Sequence, residues 1–339
     1  MAWYQVKGNS ADIVFSSRVR LARNLEGYPF AEKLDDAGAN EVIDRIEAAL
    51  DGKDYIKTDM KELSPLSAQS LVEQHLISPA FAAKKSPHAL FCNDGKSLSI
   101  MVCEEDHIRL QSILPGLALE EAYRFAAECD ELLSQQLPLA FDERLGFLTH
   151  CPTNLGTGMR ASVMLFLPAL SAAGSIPELA RQLGKIGLTM RGLYGEGSQS
   201  RGCLYQVSNQ LTLGVSEQEI LTRLGNAVSR IIENERQLRE SVKGEAAERL
   251  KDRILRAEGT LRYASLVSSE EFFKLFADVK LGIAMGVVTS ISDEVLHTLF
   301  IHVMPATLTK GLADAPKNAL ERDRARASFI KQALEVSKQ

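Results

Sequence analysis

Arginine is the residue through which this chain announces chemistry, because several arginines stand in glycine-rich or acidic loop sequence rather than on charged helices. Arg18, Arg20 and Arg23 lie in Ser16-Ser17-Arg18-Val19-Arg20-Leu21-Ala22-Arg23. Side chains alternate along an extended segment, so Arg18 and Arg20 project from one face. Arg109 follows Glu104-Glu105-Asp106-His107, and Arg160 ends the loop from Cys151 to Met159. Arg191 opens Arg191-Gly192-Leu193-Tyr194-Gly195-Glu196-Gly197. Converging guanidinium groups need an anion, and a polyphosphate suits their bidentate grip. Each arginine taken singly also reads as a surface ion pair of little energetic weight. Their shared setting favours the joint reading.

The acidic run Glu104-Glu105-Asp106 follows an expected strand. It reads either as a solvated strand end or as carboxylates that orient a cationic substrate and accept its proton. Cys151, just before Pro152, reads either as a small buried hydrophobe or as part of a site. The common nucleotide and protease signatures are missing: G-x-G-x-x-G, H-R-D with D-F-G, G-x-S-x-G and H-E-x-x-H. Gly95-Lys96-Ser97 ends like a P-loop, but Leu90 stands where the first glycine belongs.

The elements that must position these residues fall into two regions. Short apolar runs bounded by Gly, Pro, Asn and Ser predict strands at 13–15, 97–102, 146–149, 161–167, 187–193 and 204–213. Helical stripes lie between them, at 40–50 and 119–133. From Glu217 onward the pattern is helical, with starts at Ser269 and Ser292 and a last helix from Leu320 to Val336. The expectation is an α+β catalytic domain over 1–256 and a small all-helical domain over 257–339. The apolar faces at 272–281 and 295–303 read as core or as an interface.

Composition sets the class. The chain has 339 residues, 45% hydrophobic and 24% charged, the make-up of an ordinary globular protein. Its net charge of −5 argues against coating nucleic acid or a membrane surface. No run reaches the ~20 apolar residues of a membrane span, and the first residues lack a signal-peptide layout. Five cysteines without a C-x-x-C pair disfavour structural zinc and disulfides, and a reducing cytoplasm is expected.

Taken in order, Ser-Ser-Arg-Val-Arg, Glu-Glu-Asp-His-x-Arg, Cys-Pro-Thr-Asn-Leu-Gly-Thr-Gly-x-Arg-Ala-Ser and Arg-Gly-x-x-Gly-Glu resemble the phosphagen kinases, the ATP:guanidino phosphotransferases. The resemblance runs from about Asp12 to Leu213. Within that superfamily the chain is similar to the McsB-type protein arginine kinases. The short segment before Ser16 leaves no room for the helical amino-terminal domain of the metabolite kinases. The stretch 117–146 is of the same type, and Arg322-Asp323-Arg324-Ala325-Arg326-Ala327 fits an R-D-x-x-R-A motif.

The resemblance implies an antiparallel sheet flanked by helices, followed by the helical domain. It implies that Arg18, Arg20, Arg109, Arg160 and Arg191 hold the phosphates of ATP. Ser16, Ser17, Val19, Ala161, Ser162, Val163 and Met164 would complete the nucleotide site, with Gly192, Leu193, Tyr194 and Gly195. Glu105 and Glu196 would face the acceptor guanidinium, with Cys151 beside the reacting nitrogen. Arg322, Asp323 and Arg326 would bind phosphoarginine. Mg²⁺ would ride on the triphosphate, without a protein-held metal. Departures from the pattern are Cys92, Cys103 and Leu193-Tyr194.

The implied function is phosphorylation of protein arginines, marking them for a Clp protease, with McsA as activator, a Clp ATPase as partner and a homodimer as the assembly. The alternatives are a kinase for free arginine or another small guanidino compound, and an inactive phosphoarginine-binding module. The intact Glu105, Glu196 and arginine set argues against the last.

Overall fold

A computed structural model of the chain describes residues 2–193 and 200–336. The strands are β1 (Val14–Arg23), β2 (Tyr55–Asp59), β3 (Ala89–Asn93), β4 (Leu98–Val102), β5 (Ile108–Pro115), β6 (Phe141–Asp142), β7 (Gly146–Phe147), β8 (Met159–Phe166), β9 (Leu188–Gly192) and β10 (Leu204–Asn209). The helices are α1 (Asp36–Ala49), α2 (Pro65–Glu73), α3 (Pro79–Ala83), α4 (Leu119–Ser134), α5 (Pro168–Ala172), α6 (Ile176–Lys185) and α7 (Glu217–Ser241). They continue with α8 (Glu245–Tyr263), α9 (Ser269–Ala284), α10 (Asp293–His302), α11 (Pro305–Lys310) and α12 (Ala319–Val336).

Eight strands form one antiparallel sheet in the order β2-β3-β4-β5-β1-β8-β10-β9, and β6 and β7 make a separate hairpin. Register decides the two faces. Val19 pairs with Ser112 and Ala161, and Leu21 with Leu110 and Met159, so this side is largely apolar. It is buried under α1, α4, α6 and α7. On the other side Arg18 pairs with Ser162, and Arg20 with Gln111 and Arg160. Gln206 pairs with Arg191 across β10 and β9. The polar side is closed at one end by α2 and α3, which pack on Leu90 and Met101. At the other it is closed by α8, α9, α10 and α12, which pack with Phe15, Ile113 and Met164. The arginines occupy the gap.

The α+β expectation and the helical carboxy-terminal region match this architecture. The expected division at residue 256 falls inside α8, which is one continuous helix. Ile254, Ala257 and Leu261 of that helix pack with the carboxy-terminal helices. The faces at 272–281 and 295–303 are core: Phe272, Phe276, Leu299 and Phe300 are fully buried. Burying one such side chain is worth roughly 1.5–3 kcal/mol, which leaves little for an interface.

Strand β5 was absent from the sequence expectation. Its Arg109 and Gln111, alternate residues facing the polar side, and Ser112 on the opposite side interrupt the apolar run.

The carboxy-terminal helices are locked to the sheet by a buried lysine. Lys280, fully buried on α9, donates to Ala11 O at 2.9 Å, Asp293 Oδ1 at 3.2 Å and His297 Nε2 at 2.9 Å. Burial, then the lysine charge, pushes His297 well below its usual range, which keeps the imidazole a neutral acceptor. Lys280→Met strands Asp293 in the interior, so unfolding free energy falls by about 3 kcal/mol. A urea denaturation series checks this, and an unshifted midpoint contradicts it.

Candidate active site

The centre of the polar face is a cationic patch held by neutral groups. Arg18 donates from Nη2 to Gln206 Oε1 at 3.0 Å and from Nε to Ser162 Oγ at 3.4 Å. Arg160 donates to Ser208 Oγ at 3.1 Å, while its Nε is buried without a partner. The Arg20 Nε is likewise buried and unpartnered. Glu104 is the carboxylate set among them. It accepts from Arg109 and from Ser78.

The cost shows in the acidities. Burial, followed by repulsion from Arg109 and Arg160, pulls Arg18 down to about 10. Burial and the charges of Arg18, Arg109 and Arg160 depress Arg20 further, against an opposing pull from Glu104. Arg160 is lowered by burial and then by Arg191 and Arg109. Folding has therefore placed like charges together with too few anions, an arrangement that a multiply charged oxyanion relieves.

Three clefts are lined by residues of the patch. One of about 470 Å³ is lined by Arg18, Arg20, Glu73, His75 and Gln111. A second of about 940 Å³ holds Lys84, Glu104, Glu105, Arg109 and Glu32. A third of about 290 Å³ lies between Arg160 and Arg191, with Asn154 and Thr153.

The carboxylate corner is built by the turn from β4 to β5. Asp106, buried, accepts from Asn24 Nδ2 and from the His150 backbone N–H, each at 2.7 Å. His107 accepts at Nδ1 from Leu25 N–H and donates from Nε2 to Pro29 O. Glu105 is thereby presented half-buried, its Oε1 3.6 Å from His150 Nδ1, while His150 Nε2 lies 3.6 Å from Glu32. Cys151 follows His150 directly, and its Sγ meets Thr153 Oγ1 at 3.0 Å. The loop beyond it requires glycine: Gly156 has φ +105°, and a Cβ there would lie 2.3 Å from Thr212 O.

Of the residues singled out in the sequence, Arg18, Arg20, Arg109, Arg160, Arg191 and Ser162 share the polar side, with Glu105 and Cys151 at its edge. Ser16 and Met164 lie on the same side but are buried toward α8–α12. The side chains of Ser17, Val19, Ala161 and Val163 point to the opposite side. Ser17 Oγ there donates to Gly116 O and accepts from Ala118 N–H. Gly192 ends β9 and Leu193 borders the first cleft. Tyr194, Gly195 and Glu196 lie outside the described residues. Arg23 belongs to the scaffold, paired with Asp130 and stacked 3.5 Å over the Phe147 ring.

Cys92 and Cys103, the departures noted above, have thiols raised by burial to about 12 and about 11, which keeps them protonated near neutrality. Sequence reasoning missed Gln206, Ser208, Gln111, His150 and Glu32. Polar alternation within β5 and β10 was a readable signal for the first three. Nothing local flagged His150 or Glu32, which meet only through the tertiary fold.

At the carboxy-terminal motif, Arg326 is fully buried and donates to Val303 O, Val267 O and Asp323 Oδ1. Its Nη2 and the Arg322 Nε remain buried without partners.

Arg20→Met keeps the apolar stem and removes the crowded charge. The ligand-free protein is expected to melt higher, by about 2–4 °C per kcal/mol recovered. Calorimetry checks this, and a lower melting temperature shows Arg20 to be a structural cation instead.

Comparison with known proteins agrees with this geometry. The family model for the ATP:guanido phosphotransferase C-terminal catalytic domain matches residues 39–238, and that for the protein-arginine kinase McsB C-terminal domain matches residues 247–339. The protein-arginine kinase of Halothermothrix orenii is 44% identical over 337 residues, 98% of this chain and 96% of that protein. That of Symbiobacterium thermophilum is 42% identical over 339 residues, again 98% and 96%. Among solved structures, lombricine kinase aligns with TM-score 0.61 and 26% identity over 69% of each chain. The substrate-free duplicated taurocyamine kinase of Schistosoma mansoni aligns with TM-score 0.62 and 29% identity, over 74% of this chain and 39% of that one. From these matches over nearly its whole length, the chain belongs to the protein-arginine kinase family of ATP:guanido phosphotransferases.

Proposed function

We propose that this chain transfers the γ-phosphoryl group of ATP to arginine side chains of proteins. The observation that carries the reading is a crowded arginine cleft that opens onto a carboxylate corner. One surface suits a polyphosphate, the other a guanidinium. The names of its relatives support a protein as the acceptor.

In this reading Arg18, Arg20, Arg109, Arg160 and Arg191 hold the phosphates, with Ser162 and Gln206 orienting Arg18. Phosphoryl transfer spreads charge over the equatorial oxygens, so fixed cations in a partly dry cleft stabilise the transition state more than the ground state. The acceptor poses the opposite problem. A guanidinium has a pKa above 12 and no free lone pair. The Glu105 carboxylate orients it and takes the proton from the attacking nitrogen as the N–P bond forms and the bond to the ADP oxygen breaks. ADP leaves with its charge already matched by arginine.

Mg²⁺ would be carried by the triphosphate held by Arg18, Arg20, Arg109, Arg160 and Arg191, and would supply further charge neutralisation there. Among the described residues no group of three or more His, Cys, Asp or Glu converges to hold a metal. Glu196 is assigned the second acceptor carboxylate by its place in the motif, and Cys151 lies beside the reacting nitrogen. The unpartnered Arg322 and Arg326 donors support phosphoarginine as the ligand of the carboxy-terminal motif. Marking of proteins for a Clp ATPase, activation by McsA, a homodimeric assembly and a cytoplasmic location complete the proposal. Among the described residues no helix is long and apolar enough to cross a membrane.

Incubation with ATP, Mg²⁺ and an unfolded arginine-rich protein is expected to give acid-labile phosphate on arginine, read by mass spectrometry under non-acidic conditions. Label confined to serine or threonine, or turnover of free arginine alone, contradicts the reading. Glu105→Gln is expected to slow transfer by about 10²–10⁴ with ATP affinity unchanged. Near-normal transfer in that variant removes Glu105 as the base.

A further inference from the structure

On the helix-covered side of the sheet, away from the arginine cleft, α6 and α7 leave a groove of about 700 Å³ between them. Its floor is apolar. Leu179, Leu183 and Ile186 contribute from α6 and its carboxy-terminal cap, Ala227 and Ile231 from α7, and Leu211 from the loop after β10. Two of these are large and open to solvent, Ile186 at 47% and Leu211 at 48%. The spacing within each helix is that of a single face, at i, i+4 and i+7 on α6 and at i, i+4 on α7.

The rim is cationic. Lys185, Arg223 and Arg230 border the groove. Arg223 and Arg230 stand seven residues apart, roughly 10 Å along one face of α7. Among the described residues neither they nor Lys185 has a carboxylate within ion-pair distance. The nearby Glu178 is taken by Arg181 and Gln182, and Glu219 by the Ser216 cap. Their longer-range attraction to Lys185 and Arg223 is a minor influence. A positive rim around an apolar floor, in a chain of net charge −5, is local and specific.

We propose that this groove docks an acidic amphipathic α-helix of a partner protein. The apolar stripe of such a helix fills the floor, while carboxylates along its flanks meet Arg223, Arg230 and Lys185. The two-turn spacing of the arginines matches acidic residues two turns apart on the incoming helix. Polyanions without an apolar face, nucleic acid among them, would leave the floor exposed. This surface is separate from the catalytic residues, so its occupancy does not depend on the reaction proposed above.

The test uses the full chain and a fluorescein-labelled amphipathic peptide of about 18 residues, five turns, with leucine on one face and glutamate on its flanks. Anisotropy is expected to show binding that weakens at least about tenfold in Arg223→Glu/Arg230→Glu. Ile186→Ser/Leu211→Ser, at exposed positions that leave folding intact, is expected to weaken it comparably. A peptide with lysine in place of glutamate is expected not to bind, and arginine phosphorylation is expected to remain at its wild-type rate in both variants. Equal binding of the acidic and basic peptides, or binding unaffected by either variant, overturns the proposal. So does loss of self-association in the Arg223→Glu/Arg230→Glu variant without peptide binding to the wild type, which assigns the groove to a second copy of the chain.

Discussion

The crowding of guanidinium groups on one side of an antiparallel sheet is the constraint around which this molecule is organised. Arg18, Arg20 and Arg160 all have pKa values below their ordinary range, through burial and the charges of neighbouring arginines. Glu104 offsets part of this through Arg109, and Gln206, Ser162 and Ser208 supply neutral hydrogen bonds. The fold tolerates the remainder because the opposite side of the same strands is almost continuously apolar and covered by α1, α4, α6 and α7. Strand alternation makes the two inseparable: the register that buries Val19, Leu21 and Val163 turns Arg18, Arg20 and Ser162 toward the cleft.

The carboxy-terminal helices are part of this arrangement rather than an appendage. Glu73, which lines the first cleft with Arg18 and Arg20, accepts from Ala306 N–H at 2.9 Å and Thr307 N–H at 2.7 Å at the start of α11. Its charge also reaches Arg326 of the carboxy-terminal motif. One carboxylate thus joins the wall of the cleft to the helices that carry Arg322 and Arg326. Lys280 makes a second junction, to Ala11 just before β1.

Much of this was legible in the sequence, for a physical reason. The clustered arginines sit in short loops and alternating strands whose local order survives in the chain, so Arg18, Arg20, Arg109, Arg160 and Arg191 could be picked out directly. Helix α4, with its clean apolar stripe, and α12, set off by the breaker-rich stretch before it, fell within a residue of expectation. Strand β5 was lost because its polar alternates mask the apolar ones. The Glu32–His150–Glu105 contacts join segments distant in sequence, and no local pattern carries such information. The roles of Ser17 and Arg23 could not be told from those of Ser16 and Arg18 without the parity of β1, which places them on opposite sides.

If the unmet charge of the arginine cleft is the central feature, the ligand that relieves it is the polyphosphate and not the base or sugar. Thermal denaturation of the full chain with inorganic tripolyphosphate, and separately with adenosine, tests this directly. The account predicts that tripolyphosphate alone raises the melting temperature, with the gain growing as the logarithm of its concentration above Kd, and that adenosine leaves it nearly unchanged. Stabilisation by adenosine with none by tripolyphosphate would contradict it.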